Sequence, residues 1–524
     1  MPCTCVRQTD LPNTSAIAAD VFYHPERTAA FYRHPLRDLA SFRAAAAEIE
    51  FSAGQRAALV AALGPQNPGS RSLERLAGPG TVAVVTGQQV GLFSGPAYTA
   101  YKALHTARLA AWLTEQGIPA VPVFWLATQD HDFAEVNHAW VFDKRHRPHK
   151  LEMRRAAGSQ PVGEIALAEP PVDELRALLA GLPFADEVAA LAADAYRPGN
   201  TMGRAFGDLL QSLLARFDIL QVDPLLPAFR QLAAPVLRSA VAAAPELSAA
   251  ILARNQQLAA AGYHAQVHME EQTSLFFLLE NGKRLALRRH GSEYVLNGRR
   301  ISSQELQDRA ESLSPNALLR PVVQDSILPS AACILGPAEM AYLAQSEVIY
   351  RAIPGRMPVA VPRAGFTILD AHSQKLLDRY GLGLTDFFEG EEAIRHRVAA
   401  RLVPPGVAGT LRETADTVGR AVDRLRGELG AFDPTLAQAL DRSARKIRYQ
   451  IGKVEGKAGR EAMRRDARAT EDAASLCGLL YPERHLQERL YSILPFLARH
   501  GLRLLDQVYD AIQLDCPDHR MMVV

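Results

Sequence analysis

The stretch from residue 82 to residue 138 has the clearest alternation of apolar and polar segments in the chain. A short apolar run, VAVV, is followed by a glycine-rich turn, a helical pattern and a second apolar run, AVPVFWLA. The second run is apolar on both faces, which is typical of a central strand in a parallel sheet. The pattern predicts one strand–helix–strand unit, and ligands of such sheets bind beyond the carboxyl ends of the strands.

Glycine and polar side chains follow the first of these strands. Gly87, Gly91 and Gly95 would let backbone approach a ligand, and Pro96 suits the first position of a helix whose free N–H groups would face an anion in the crevice. The spacing matches neither the dinucleotide-binding fingerprint nor the Walker loop, and such glycines are as often structural as functional. The residues that we expect to bind substrate here are Thr86, Gln88, Gln89, Ser94 and Lys102.

A polar cluster begins where the second strand ends. Two carboxylates flank a histidine, which would favour its imidazolium form and suit acid–base catalysis. A metal site is an alternative because His and Asp are both good ligands, and another is a helix N-cap beside a solvated histidine. We predict the catalytic role and assign no metal. The predicted catalytic residues are Asp130, His131 and Asp132, with Asn137 nearby as a substrate ligand.

The segments around this unit extend the predicted core. Residues 16–63 have helical spacing, and residues 218–223, FDILQVD, form a further apolar strand. Residues 143–200 are charged and then rich in Ala and Leu, which indicates a helical insertion. Two Asn-Gly turns, Asn281-Gly282 and Asn297-Gly298, separate short strands and predict a β-meander over about residues 262–312.

The block from residue 314 to residue 350 predicts the opposite wall of the crevice. It contains an apolar strand, AACIL, followed by Gly336-Pro337 at a helix start, which repeats the strand-to-turn-to-helix pattern. Arg320 could bind a carboxylate or phosphate through two parallel hydrogen bonds, although a surface arginine is the simpler interpretation of that residue alone. The predicted substrate ligands of this block are Asn316, Arg320, Gln324, Asp325 and Glu339.

The hydrophobic spacing changes to heptads in the C-terminal part of the chain. Positions at 4-3-4-3-4 spacing occur on both sides of a break at residues 430–434, which predicts two helices in an antiparallel coiled coil. Residues 441–468 contain ten Lys and Arg against four Asp and Glu, a balance of 10 − 4 = +6. This arm could bind RNA, but a solvated face is the commoner outcome. The first-arm positions are Leu411, Ala415, Val418, Val422, Leu425 and Leu429, and the second-arm positions are Leu440, Ala444, Ile447, Ile451, Val454 and Ala458.

Composition gives few further constraints. The 524 residues are 48% hydrophobic and 22% charged with a formal net charge of +1, which is typical of a soluble globular protein without a general affinity for nucleic acid or membranes. Signal-peptide and membrane-spanning patterns are absent, and we therefore expect a cytoplasmic protein. The five cysteines suggest reduced thiols, with Cys3 and Cys5 in a frayed terminus and Cys333 as a buried apolar side chain.

Five ordered blocks between residue 82 and about residue 508 resemble the cysteine-adding enzymes of bacillithiol biosynthesis. They read VVTGQQVGLFSGPAYTAYKA, PVFWLATQDHDFAEVNH, SPNALLRPVVQDSILPSAACILGPAEMAYLAQ, MPVAVPRAGFTIL and YPERHLQERLYSILPFLARHGLRLLDQV. Together they cover most of the chain and are far more specific than any one block. One position departs from the family, because relatives often have His-Lys where this chain has Tyr101-Lys102.

The resemblance implies an α/β fold with a Rossmann-type parallel-sheet core, connecting-peptide insertions and a C-terminal antiparallel coiled coil that forms a homodimer. We expect the core over residues 1–375, the coiled-coil domain over 376–480 and helices that pack back on the core over 481–524. The implied reaction joins the carboxyl of L-cysteine to the amino group of glucosaminyl-malate. Because a free carboxylate is a poor acyl donor, we expect ATP or another nucleotide as the activator. The alternative class is a synthetase-like protein that binds or modifies tRNA through the basic arm.

Overall fold

The computed structural model describes residues 3–154 and 158–524. Residues 155–157, inside the predicted helical insertion, lie outside the described part. The strands are β1 Cys3–Val6, β2 Val82–Gln88, β3 Ala120–Leu126, β4 His138–Phe142, β5 Pro148–Glu152, β6 Leu220–Val222, β7 Thr273–Glu280, β8 Lys283–His290, β9 Glu293–Leu296, β10 Arg299–Ser302, β11 Leu313–Pro315, β12 Ser330–Leu335, β13 Val359–Pro362, β14 Phe366–Leu369 and β15 His519–Val523.

Helices surround these strands and make up most of the C-terminal part. They are α1 Ala16–Tyr23, α2 Pro25–Thr28, α3 Leu39–Ala47, α4 Ala53–Leu63, α5 Arg71–Ala77, α6 Tyr98–Glu115, α7 Phe133–Val136, α8 Val172–Leu179, α9 Ala185–Ala195, α10 Met202–Leu214, α11 Pro227–Ala242, α12 Ala244–Ala260, α13 Ser303–Asp308, α14 Arg320–Ile327, α15 Pro337–Ala352, α16 Ala371–Tyr380, α17 Glu391–Leu402, α18 Pro405–Phe432, α19 Pro434–Arg465, α20 Ala467–Leu480, α21 Gln487–Leu490, α22 Leu494–His500 and α23 Arg503–Ala511.

A five-stranded sheet with the order β13-β12-β2-β3-β6 forms the core, and every neighbouring pair in it is parallel. Strand β2 continues through α6 to β3, as the strand–helix–strand pattern predicts. Strand β6 pairs with the outer edge of β3. Strand β12 pairs with β2 on its other edge, and β13 lies beyond β12. The order therefore reverses between β2 and β12, and a ligand crevice is expected at the carboxyl ends of these two strands. The predicted Rossmann-type parallel sheet is confirmed.

Both faces of this sheet are covered. Ala83 and Val85 of β2 pack into one apolar cluster, which also includes residues of α4, α11 and α15. Val82 and Val84 point to the opposite face and pack with residues of α3 and α6. Alternate residues of a strand point to opposite faces, and burial of all of them explains why the strand sequences are continuously apolar.

The β-meander forms a second, separate sheet with the order β10-β9-β8-β7-β11. Asn281 and Gly282 both have positive φ angles, and so do Asn297 and Gly298. This conformation matches the twist of a two-residue hairpin turn and favours the Asn-Gly sequence. Both predicted hairpins are confirmed. The predicted helical insertion differs in one respect, because β4 and β5 form an antiparallel hairpin before α8 and α9.

A third sheet joins the two ends of the chain. Strand β15 lies between β1 and β14, antiparallel to the first and parallel to the second. The expectation of a frayed N-terminus was therefore wrong for Cys3–Val6. The pairing could not be read from the sequence because the two partners lie more than 500 residues apart.

The coiled-coil prediction is confirmed by α18 and α19, two long helices separated by Asp433 alone. Arg426 and Asp441, seven residues before and eight residues after Asp433, form an ion pair with Nε 2.8 Å from Oδ1. This pairing shows that the two helices run antiparallel. Helix α20 then carries the chain back to the core, where its residues join the same apolar cluster as α22 and α23.

No single helix in the described ranges is long and apolar enough to span a membrane. The pair α11 and α12 meets the length and hydropathy criteria only when the two are taken together, and it bends by 76° between them. Both helices contribute buried residues to the cluster beneath the core sheet.

We predict that Gly478→Ala destabilises the protein. An added Cβ would overlap the carbonyl oxygen of His146, in the turn between β4 and β5. The backbone can move aside only at a cost in free energy. We therefore expect the free energy of unfolding to fall by about 1–3 kcal/mol, measured as a lower thermal unfolding midpoint. Gly427→Ala is the matched control, because Gly427 also lies in a helix but has open space around its Cβ position. That variant should be neutral or slightly more stable, by up to about 1 kcal/mol. Equal midpoints for the two variants would contradict the close contact.

Candidate active site

A crevice of about 340 Å³ lies where the order of the core sheet reverses. Its floor is formed by the carboxyl ends of β2 and β12, with the turn after β3 on one side and the residue after β13 on the other. Helices α6, α14 and α15 supply side chains to its walls, and Arg489 of α21 completes it from the C-terminal part of the chain. The volume is at the lower end of the range for small-molecule sites.

A buried ion pair lies at the base of this crevice. Lys102 of α6 places Nζ 2.7 and 2.9 Å from the two carboxylate oxygens of Glu339 on α15, and 2.5 Å from the carbonyl oxygen of Gly87. Glu339 also accepts a hydrogen bond of 2.6 Å from the backbone N–H of Gly336. Burial lowers the pKa of Lys102, and the Glu339 carboxylate opposes that effect. The pair therefore ties the end of β2 to the end of β12.

The expected anion site at the start of α6 was wrong. The helix begins at Tyr98 rather than at Pro96, and the N–H of Ala97 donates to the carbonyl oxygen of Tyr491 at 2.7 Å. Gly91 and Gly95 lie against each other outside the crevice, with only 3.0 Å between a Cβ built at Gly91 and the Cα of Gly95. These two glycines serve close packing, and the C-terminal segment covers the helix N-terminus that the sequence predicted to be open.

Asp130 lies on the wall of the crevice and is held as an anion. Gln89 donates to one of its oxygens at 3.0 Å, and the backbone N–H of His131 donates to the other at 2.8 Å. Burial acts to raise the pKa of Asp130, but the hydrogen bond from Gln89 and the nearby guanidinium of Arg284 outweigh it and place the pKa below its ordinary value. Asp130 is therefore ionised at neutral pH and can accept a proton or a hydrogen bond.

His131 lies beside Asp130, next to the crevice but outside the residues that line it. The guanidinium of Arg284, on the inserted sheet, is 2.9 Å from Nδ1 of His131, while the nearer oxygen of Asp130 is 3.6 Å away. Asp132 is exposed and its side chain makes no capping hydrogen bond to α7. Of the two carboxylates expected to flank the histidine, the structure places only Asp130 beside the ring, and the guanidinium of Arg284 approaches the same ring nitrogen.

Three arginines line the crevice, and they differ in their partners. Arg363 is buried in an ion pair with Glu488 of α21, with 2.5 Å between Nη2 and Oε1. Arg320 reaches only the hydroxyl of Tyr342, at 3.4 Å. In the described ranges, neither Arg320 nor Arg489 has a carboxylate at ion-pair distance. These two guanidinium groups remain available for an anionic ligand.

The structure brings about half of the predicted site residues together. The crevice is lined by Thr86, Gln88, Gln89, Lys102, Asp130, Arg320, Gln324 and Glu339. The other predicted residues lie outside its lining. Asn316 caps a turn by accepting hydrogen bonds from Leu318 and Leu319, and Asn137 donates to the carbonyl of Met153. Ser94 is buried in the turn before α6.

Asp325 is also structural. It is buried behind the crevice, where it accepts hydrogen bonds from the hydroxyl of Tyr350, the amide of Gln324 and the thiol of Cys333. Cys333 itself reaches the crevice lining, and burial raises the pKa of its thiol well above the ordinary value. The interpretation of Cys333 as a buried apolar side chain is confirmed for its burial, although its sulfur faces a carboxylate.

Tyr101 does not face the crevice. Its ring is fully buried and packs edge-on against Phe366, with ring centroids 5.2 Å apart. Residues 98 and 102, which lie about one turn apart on the same helix, line the crevice instead. The departure from the family at position 101 therefore lies outside the crevice lining.

Comparison with known proteins assigns the chain to a family over its whole length. Residues 1–364 match the model described as "Bacillithiol biosynthesis BshC, N-terminal Rossmann-like domain", and residues 366–524 match the C-terminal coiled-coil domain of the same family. The chain belongs to the BshC family. Both domain descriptions agree with the parallel core sheet and the helical hairpin.

Relatives at high identity bear the same family name. A protein of Solibacter usitatus named "Putative cysteine ligase BshC" is 67% identical over all 524 residues and 100% of both chains. Proteins of the same name from Koribacter versatilis and Salinibacter ruber are 34% and 32% identical, over 99% and 86% of this chain and 99% and 84% of their own. The BshC family resemblance expected from the sequence blocks is confirmed.

We predict that Glu339→Gln destabilises this BshC family member more than Lys102→Met does. The side chain of Lys102 is 1% exposed, against 23% for Glu339. Loss of the glutamate leaves a buried ammonium without its counter-charge, which typically costs about 3–5 kcal/mol. Loss of the lysine leaves a carboxylate that water can still reach. Thermal unfolding midpoints of the two variants test this order, and a lower midpoint for Lys102→Met would contradict it.

Proposed function

We propose that this protein is a cysteine ligase that joins the carboxyl of L-cysteine to the amino group of glucosaminyl-malate and so forms bacillithiol. Membership of the BshC family and the names of its full-length relatives support a role of this kind. The observation that carries the proposal is the charge pattern of the crevice, which sets two unpaired guanidinium groups near one ionised carboxylate.

Charge balance supports a dianionic substrate. Lys102 and Glu339 neutralise each other, and so do Arg363 and Glu488. Arg320 and Arg489 then remain as two positive charges without partners among the described residues. The malate part of glucosaminyl-malate has two carboxylates, and guanidinium groups bind carboxylates through paired hydrogen bonds. We assign malate binding to this pair of arginines.

Asp130 is the proposed proton acceptor. In amide formation the amine nitrogen attacks the carbonyl carbon of the activated cysteinyl group, a C–N bond forms and the bond to the leaving group breaks. The nitrogen loses a proton in this step, and an ionised carboxylate at the crevice wall can take it. Gln89 and the backbone of His131 hold Asp130 in place for this role.

The carboxyl of cysteine must be activated before the amine attacks, and we propose ATP or another nucleotide as the activator. A free carboxylate resists nucleophilic attack, while an acyl phosphate or acyl adenylate does not. The unpaired guanidinium groups suit phosphate as well as carboxylate. At about 340 Å³ the crevice accommodates the reacting ends of the substrates rather than all of them in full.

Purified protein incubated with glucosaminyl-malate, L-cysteine and ATP should produce bacillithiol, and omission of ATP should stop the reaction. Arg320→Lys should raise the KM for glucosaminyl-malate by about 10- to 100-fold, because a lysine cannot make the paired contact, worth about 1.5–3 kcal/mol. Arg288→Lys, at an exposed position on β8, is the control and should leave KM unchanged. Product formation without a nucleotide would reject the activation step. Folded protein that forms no product with any nucleoside triphosphate would reject the ligase function.

We also propose that the coiled coil forms a homodimer. Its heptad positions are only partly covered within the hairpin, since Leu425, Ile447 and Val454 remain exposed and Ala444 is buried. Phe432, at the tip of the hairpin, is 83% exposed. A two-helix hairpin that leaves one apolar face uncovered can bury it against a second copy.

Replacing exposed apolar residues of the hairpin should give a monomer. For Ile447→Glu combined with Val454→Glu we expect the molar mass measured by light scattering to halve, because charge on the apolar face opposes its burial. Arg442→Glu, at an exposed position of α19 outside the heptad pattern, is the control. A monomeric wild-type protein at micromolar concentration would contradict the proposal.

A further inference from the structure

Three contacts within the inserted sheet hold the side chain of Arg284 on β8, and the catalytic proposal uses none of the three partners. Nε donates to the hydroxyl of Ser314 at 3.1 Å, and Nη2 donates to the carbonyl oxygen of Pro315 at 2.9 Å. The guanidinium carbon lies 3.7 Å from the ring centroid of Phe277. Because the side chain is only 8% exposed, the guanidinium has one fixed orientation.

The remaining nitrogen, Nη1, points at the core domain. It lies 2.9 Å from Nδ1 of His131 and 3.6 Å from the carboxylate of Asp130. The His131 ring also packs against Phe277, with centroids 5.5 Å apart. Strands β7, β8 and β11 of the inserted sheet therefore all contribute to one support for His131 next to the crevice.

The chemistry of this contact fixes the proton on His131. A guanidinium group has only donors, and therefore Nδ1 of His131 must accept. Burial lowers the pKa of Arg284 to about 10, at which it still carries its charge at neutral pH. An imidazolium has N–H groups on both nitrogens, and its Nδ1–H would face an N–H donor of Arg284. The arrangement is compatible with the neutral ring that has its proton on Nε2.

We propose that Arg284 is a positioning residue that holds His131 as the neutral, Nε2-protonated imidazole, which makes His131 a hydrogen-bond donor next to the crevice and not a base. Nδ1 is occupied by Arg284, and Nε2 has no lone pair in this tautomer. In this tautomer the Nε2–H can donate a hydrogen bond to an oxygen of a bound substrate. This assignment leaves Asp130 as the base. Its consequence for turnover rests on the proposed ligase function, whereas the tautomer does not.

Two-bond ¹H–¹⁵N NMR of histidine-labelled protein at pH 7.5 tests the tautomer directly. The signal of His131 is assigned by its loss in His131→Asn. We expect Nδ1 without a proton and Nε2 with one in the wild-type protein and in Arg284→Lys, which keeps a donor. In Arg284→Met we expect a tautomer mixture or an imidazolium. Arg288→Met, exposed on the same strand, should keep the wild-type signal.

The activity of the same variants supplies the second measurement. Arg284→Met should lower kcat by about 10- to 100-fold, the loss of one charge-assisted hydrogen bond, with little change in the KM for glucosaminyl-malate. Arg284→Lys should recover most of kcat. A proton on Nδ1 in the wild-type protein would overturn the proposal whatever the folding of Arg284→Met, and an unchanged tautomer in folded Arg284→Met would overturn it as well. The expected tautomers in a protein that forms no bacillithiol would instead reject the ligase function alone.

Discussion

The buried contact between Lys102 and Glu339 is the constraint on which the crevice depends. It joins the first helix after β2 to the first helix after β12, across the point where the strand order reverses. Lys102 also binds the Gly87 carbonyl and Gln88, and Glu339 binds the backbone of Gly336. Because an isolated ammonium is costly to bury, the two strand ends are held at one separation. The positions of the other crevice residues depend on the distance between these two strand ends.

A second buried ion pair, between Arg363 and Glu488, attaches the C-terminal part of the chain to the same place. Glu488 also accepts the N–H of Phe366, and Ser492 donates to the carbonyl of Phe93. Through these contacts α21 covers the start of α6 and brings Arg489 to the crevice. Along the chain, the coiled-coil hairpin therefore lies between two elements that both belong to the core, β14 before it and α21 after it.

The sequence predicted the fold class more fully than the site. Continuous apolar runs and Asn-Gly turns depend on local geometry. These two signals were enough to predict the parallel sheet and both hairpins. Polar residues near strand ends were harder to interpret, because a cap such as Asn316 and a crevice-lining residue such as Gln89 have the same local signal. Asp325 was misplaced for another reason: it lies inside α14, and its contacts to Cys333 and Tyr350 are not evident from the local sequence. Arg489 was missed because only contacts between distant segments bring it to the crevice, whereas Arg363 directly follows β13 and could have been found as a polar residue at a strand end.

The inserted sheet adds to the site something that the parallel core lacks. A loop at a strand end can place Asp130 and His131 near substrate, but it leaves the histidine ring free to rotate and to exchange its proton between two nitrogens. Arg284 removes that freedom because three of its contacts come from a rigid antiparallel sheet. A change in the orientation of the His131 ring would also weaken the contacts around Asp130, since Nη1 of Arg284 lies near both side chains. The insertion therefore places one buried guanidinium beside Asp130 and His131, and its apolar residues also pack in the same cluster as β2 and β3 of the core sheet.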